Sequence, residues 1–450
     1  MSICVICVLL TYQPQNPLEL ANSQKDIMKT STFSWWQAFF VGLGIIPGSY
    51  IIAPIFDTFI PIFLQAGNPL WEEGLRAAGH EVPDVMGFAL APTMTYFIMT
   101  WDNILSLFIA PWVGARSDRT WNRFGRRKPW MLAGMILMVL GFVLMPFAQS
   151  VLAIMAFILV SHLGFAFYYI PANAWWGDLF PSALRSQAGG VFTLMGGIAA
   201  IIAFIGSGML FEEVGRVAPF VIGGLVVALS VAISLYVVKE PPDLLSEDDP
   251  STNNSMIALL KETWQSEDRT LLSLLLVMLL SVTAFSVVQT GVSSFAVFEI
   301  GMTPGQAASY TAILTVTLTL FAIPSGWIAT RFGRPRIVKV GLLTFAAISA
   351  AAYFGIQRPF DYALALLGLG IAAALLIVNS LPLIYDAGDE RHIGLYTGLN
   401  AIAGQSASIL GPMLAGVAIE WFASQRILFA CAALFQVLAW LVMRRVKGLS

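Results

Sequence analysis

The sequence predicts an all-α membrane protein, with twelve transmembrane helices in two parallel-repeated six-helix bundles. Three observations carry this. Hydrophobic residues make up 58% of the 450-residue chain and charged residues 11%, where a soluble domain has roughly 25% charged. Too few polar side chains remain to coat a water-exposed surface, so lipid is the main solvent. Second, apolar stretches near the ~20 residues that cross ~30 Å of hydrocarbon recur along the chain. Third, the basic residues gather on one side of an alternating loop pattern. Because the runs are continuously apolar and do not alternate, a closed barrel is excluded.

The first 33 residues read as an N-terminal tail. Its apolar piece, 3–10, is too short to span and lacks both a basic flank and a small-residue cleavage site, so it does not read as a signal peptide. Met28, just ahead of the first long run, is a candidate start. The first bundle, 34–239, holds apolar runs at 35–65, 91–114, 130–149, 151–176, 188–211 and 218–238. A linker, 240–269, follows. It is rich in acidic and turn-forming residues (EPPDLLSEDDPSTNN), then turns amphipathic at IALLKETW. The second bundle, 270–450, holds runs at 271–298, 305–330, 337–357, 362–385, 393–421 and 427–443.

Loop charge orients these spans. With both termini inside, the outer loops hold only Arg76, Arg216, Arg358 and Arg426 of the 24 basic residues, and the one basic residue within a run is Lys339, at the inner edge of 337–357. This places both termini in the cytoplasm and the protein in the inner (plasma) membrane. A net charge of −2 without a basic domain gives no reason to expect nucleic acid as a partner. The three cysteines, Cys4, Cys7 and Cys431, show no metal-ligand spacing. No nucleophile–base pair or phosphate-binding glycine loop occurs, so neither an enzyme nor a resident metal or cofactor is expected. Without an ATP-binding motif, the energy for any transport must come from a gradient.

The two bundles repeat. Phe124-Gly125-Arg126 recurs as Phe332-Gly333-Arg334, 208 positions on, and Arg185 recurs as Arg391 at nearly the same offset. Parallel repeats of this kind bind their substrate between the halves near the bilayer midplane and work by rocking. A repeat complete in one chain suggests a monomer.

The segment GARSDRTWNRFGRRKPW, from Gly114 to Trp130, resembles the loop 2–3 signature of the major facilitator superfamily, G-x-x-x-D-R-x-G-R-R. GWIATRFGR at 326–334 follows its spacing, with Thr330 where the acid would stand. The longer first copy, ending in R-R-K-P-W, is similar to the glycoside–pentoside–hexuronide carriers and the sucrose-type proton symporters. GDLFPSALRSQAGG after the fourth span fits the same branch. The resemblance implies proton-coupled symport of a sugar or glycoside by alternating access, with a small-molecule substrate and protons as partners. It also implies a cytoplasmic gate at Gly114, Asp118, Arg119, Gly125, Arg126 and Arg127, acting as a latch across the seam between halves. The alternative is that these arginines only hold topology. Arg331, Gly333 and Arg334 occupy the matching place in the second half. Asp178 with Arg185, and Asp386 with Arg391, end the fourth and tenth spans as gate pairs or caps.

Ionisable groups inside spans are costly and therefore site candidates. Asp57 lies among Pro47, Pro54 and Pro61, Asp102 midway along the second span, and His162 midway along the fourth. No intramembrane Lys or Arg neutralises either acid, so a protonatable carboxyl facing an aqueous path is the reading for both. Asp102 bonded to backbone, and His162 as a core residue, are the alternatives. A sugar needs hydroxyl-pairing groups and an aromatic plane. Tyr168, Tyr169, Asn173, Gln289 and Asn379 are the candidates, while Trp175 and Trp176 read as an interfacial belt.

The chain also departs from its relatives. Where sucrose-type symporters carry P-x-R-A, PANAWW has Asn173 for the arginine, and His162 stands at their aspartate position. Counted from Pro111, the two aspartates of melibiose-type carriers are replaced by Ala110 and Ser106. That leaves their sodium site without support and favours protons. Export of an apolar metabolite or drug, and a transporter-like sensor that no longer cycles, are the competing functions.

Overall fold

The computed structural model describes residues 33–83, 85, 87–120, 122, 124–240, 269–387 and 393–446. Met28, the amphipathic piece 257–264 and Arg391 lie outside the described residues. Twelve helices are long and apolar enough to cross a membrane. They are α1 (Trp35–Gln65), α2 (Pro92–Arg119), α3 (Lys128–Phe147), α4 (Val151–Leu179), α5 (Ser182–Glu213) and α6 (Ala218–Val237). The second six are α7 (Thr270–Phe298), α8 (Pro304–Phe332), α9 (Arg334–Gly355), α10 (Pro359–Ala387), α11 (Ile393–Phe422) and α12 (Ile427–Arg445).

Several helices carry proline at their first or second position, where its missing N–H costs nothing. Thr303 and Gln306 add a full capping box to α8. The helices run further than the apolar stretches do. Arg116 and Arg119 lie in the last turn of α2, and Arg334 opens α9. Backbone hydrogen bonding continues past the hydrocarbon edge, where long basic side chains reach polar surroundings. We call this the basic end of the bundle.

Buried side chains form two clusters. One is drawn almost wholly from α1–α6, and the other from α7–α12 with a few residues of the α1–α2 region. Within a bundle, lipid gives no hydrophobic drive to pack helix on helix, so small residues let backbones meet. A Cβ on Gly164 of α4 would lie 2.1 Å from the Met138 amide nitrogen of α3. Between bundles, Gly208 of α5 and Gly305 of α8 meet in the same way.

The first helix is not continuous. Between Pro47 and Pro54 it opens into a π-helical turn, Gly48–Ile52, the kind of bulge that often marks a functional site. Tyr168 of α4 helps hold this segment, donating its hydroxyl to the Gly44 carbonyl at 2.6 Å. Further along, Pro61 cannot donate to the carbonyl four residues back, which belongs to Asp57. Ser293 of α7 takes that role, its Oγ donating to the Asp57 carbonyl at 3.3 Å.

Candidate functional site

Two cavities lie between the bundles. The first, of about 220 Å³, is walled by α1, α5, α7 and α8, and contains Asp57, Gln289, Tyr50, Thr58 and Ser293 among apolar residues such as Phe204 and Phe285. The second, of about 530 Å³, lies between α2, α4 and α11, and contains Asp102, Asn103, Ser106, Tyr169 and Gln405. Ser49, on the π-helical turn, lines both. Among the described residues lining either cavity there is no Lys or Arg.

Each acid has a neutral polar neighbour. Gln289 Nε2 approaches Asp57 Oδ2 at 3.4 Å across the seam between bundles. Asn103 Nδ2 donates to Asp102 Oδ1 at 2.7 Å. The ring of Tyr169 stacks on Phe165 with centroids 5.0 Å apart, giving the second cavity an aromatic plane. Asp57, Asp102, Tyr169 and Gln289 are thus brought to the cavities.

The remaining candidates are placed elsewhere. Tyr168 is fully buried and spends its hydroxyl on α1, so it supports the π-helical turn and does not face solute. His162 is buried with its ring edge-on to Phe56, centroids 4.8 Å apart. Asn379 is buried between α8 and α10, donating to the Leu375 carbonyl and to Ser325 Oγ, both at 2.9 Å. Asn173 turns its amide back to the Tyr169 carbonyl at 2.8 Å. Their helices are apolar on every side, so spacing alone did not reveal which face looks inward.

At the basic end the carboxylates and arginines pair within each bundle. Asp178 Oδ2 accepts from Arg126 at 2.9 Å and from Arg127 at 3.0 Å, and Arg127 also pairs with Asp118. Arg334 and Asp386 repeat the Arg126–Asp178 pair, each residue 208 positions on. Among the described residues, every ion pair at this end joins partners of one bundle, so the expected latch across the seam is not seen among them. Asp178 and Arg185 make no ion pair with each other; of the two expected roles, gate pair or cap, Arg185 takes the cap. Arg185 instead donates to the Gly177 and Phe180 carbonyls and caps the end of α4. Arg331 lies over the Trp327 and Phe332 rings.

Gly125 is demanded by geometry. Its φ is +113°, and a Cβ there would strike the Glu240 carboxylate. Sequence reading passed over Glu240, which accepts from the backbone N–H groups of Arg126 and Lys128. In return Lys128 Nζ donates to the Leu235 and Val238 carbonyls at the end of α6. An acid on a helix N-terminus and a base on a helix C-terminus both oppose the local dipole.

The opposite end is bridged across the seam. Gln425 Nε2 donates to Gln65 Oε1 at 2.7 Å, Gln65 Nε2 donates to Ser294 Oγ at 3.0 Å, and Tyr96 donates to Gln425 Oε1 at 3.3 Å. All four residues are at most 1% exposed. Glu212 of α5 adds a bond from the Gly305 N–H of α8, at 2.9 Å. Glu299, at the end of α7, pairs with Arg426 at 3.3 Å.

This arrangement of twelve spans around a central seam is shared with known proteins. The sequence matches the Major Facilitator Superfamily over residues 38–412 and again over 274–448. The chain belongs to that superfamily. Its members carry small molecules across membranes, so this is an integral membrane transporter protein. Among solved structures it is similar to a mutant of the nucleoside transporter NupG (TM-score 0.68, 13% identity, covering 91% of this chain and 100% of that one). It is likewise similar to a bacterial homolog of the human lysosomal transporter Spinster (TM-score 0.68, 16% identity, 92% and 98% covered). The POT family transporter PepTSo is a third (TM-score 0.67, 13% identity, 92% and 99% covered). At these identities the likeness is one of fold.

Proposed function

We propose that this superfamily member is a secondary active transporter that moves a neutral, hydroxyl-rich solute, a sugar or glycoside, together with protons. The observation that carries the reading is the pair of cavities at the seam, which hold Asp57 and Asp102 without any lining cation. An acid there repels anionic solutes and can carry a proton. The hydroxyl and amide groups of Ser49, Tyr50, Asn103, Gln289 and Gln405 supply donors and acceptors for a polyol. Tyr169 and Phe165 supply the stacking face. The basic end faces the cytoplasm in this reading, and the bridged opposite end makes the conformation inward-facing. Export of an apolar metabolite or cationic drug is the second reading, favoured by Phe204, Phe285, Leu314 and Leu318 around Asp57.

Adding a panel of mono- and disaccharides to de-energised cells that express the chain tests the reading. Alkalinisation of the medium by particular sugars is the expected result. Acidification on adding a lipophilic cation to energised vesicles, with no response to any sugar, would move the assignment to export.

A further inference from the structure

The signature segment carries two arginines, Arg116 and Arg119, one turn apart at the end of α2. We infer that the outer face of α2 at the basic end binds the headgroup phosphate of an anionic phospholipid between Arg116 and Arg119. The two residues line a groove of about 510 Å³ together with Trp112, Ala115 and Thr120. Both are exposed. Among the described residues neither is in an ion pair, because Asp118, the carboxylate next to Arg119 in the chain, is engaged by Arg127.

Position on the helix decides the class of ligand. At 3.6 residues per turn, both arginines point more than about 100° away from the centre of the α2 face that lines the second cavity with Asp102, Asn103, Ser106, Leu107, Ala110 and Pro111. They therefore look away from the transport cavity and toward the surroundings of the bundle. In a chain of twelve membrane spans those surroundings are lipid. The depth also fits. The arginines stand in the last turn of α2, and the wall beneath them is aromatic: Trp112 is 53% exposed and packs edge-on to Trp130 and Phe167. Tryptophan rings mark the headgroup level. Thr120 ties the groove together, donating to the Arg116 carbonyl at 2.6 Å and accepting from Trp130 Nε1 at 3.3 Å. Two guanidiniums one turn apart, above an aromatic floor at a membrane edge, suit a phosphate whose acyl chains run down the helix.

The second bundle lacks the feature. At the equivalent end of α8 Ile328 stands in the place of Arg116, and Arg331, which matches Arg119, lies over aromatic rings. The site is thus expected once per chain.

Native mass spectrometry of the full chain, released from micelles containing equal phosphatidylglycerol and phosphatidylcholine, tests this. One phosphatidylglycerol should be retained selectively. Arg116→Gln or Arg119→Gln should each weaken retention roughly fivefold, and the double change about thirtyfold. The double lysine variant should keep most of the binding, and Arg331→Gln should leave it unchanged. Unaltered retention by the double glutamine variant would overturn the proposal. So would equal retention of phosphatidylcholine, or loss in the lysine variant as large as in the glutamine one. Displacement by inorganic phosphate alone would make this a soluble-anion site and would also overturn it.

Discussion

Replacing Asp178 by Asn is expected to cost roughly 3–5 kcal/mol of stability, while Asp386→Asn costs under about 1 kcal/mol. The two carboxylates occupy matching places in the repeat and face matching arginines. Their surroundings differ. Arg126 and Arg127 are 6% and 5% exposed, and both direct a nitrogen at the same Asp178 oxygen. Removing that charge takes a carboxylate from two nearly buried guanidiniums at once, with Asp118 remaining on Arg127. The side chains of Arg334 and Asp386 are 36% and 42% exposed, and water screens what they would lose. Thermal unfolding of both purified variants checks this. The Asp178 variant should also show low membrane abundance. Equal, small losses would mean that the cluster at α4 contributes no more than a surface pair.

A second large effect is expected at the other end. Gln65→Ala removes the partner of both Ser294 and Gln425, leaving buried polar groups unsatisfied at about 1–3 kcal/mol each. The penalty falls only on the conformation in which this end is shut, because opening it lets water satisfy the same groups. A shift of about 2 kcal/mol moves the balance between the two states by roughly thirtyfold. The readout is labelling of Ser293→Cys by a membrane-impermeant thiol reagent applied from the Gln65 side. Labelling should rise steeply when Gln65→Ala is added. Since the bridge is made of neutral amides and hydroxyls, salt should leave it unaffected. If Gln65→Ala leaves labelling unchanged, the network is not what holds this end closed.

Much of the architecture was readable because the bilayer imposes it. Span lengths follow from burying helices in hydrocarbon, and the repeat offset reappears in the matched Arg126–Asp178 and Arg334–Asp386 pairs. Asp57, Asp102 and Gln289 were readable for the same reason: a polar group in an apolar run needs a partner or a cavity. Tyr168 and Tyr169 show where that reasoning stops. They are neighbours in sequence, yet a turn of about 100° sends one into the core and the other to a cavity. The Gln65–Gln425 bond joins residues 360 positions apart, and nothing local announces it. Spacing left Asp178 and Arg185 open as a pair or a cap; the loop after α2 folds back to bring Arg126 and Arg127 to Asp178, and Arg185 is left to cap. Polar side chains at span ends look interfacial until the second bundle covers them.

Coupling at the seam acids is the central claim, and proton movement in their variants tests it most directly. External pH would be recorded on adding a transported sugar to de-energised cells carrying the wild-type chain, Asp57→Asn or Asp102→Asn. The expected result is alkalinisation in the wild type that disappears in at least one variant, while that variant still exchanges labelled sugar across the membrane. Undiminished alkalinisation in both variants would contradict the account, because protons would then cross without either carboxylate.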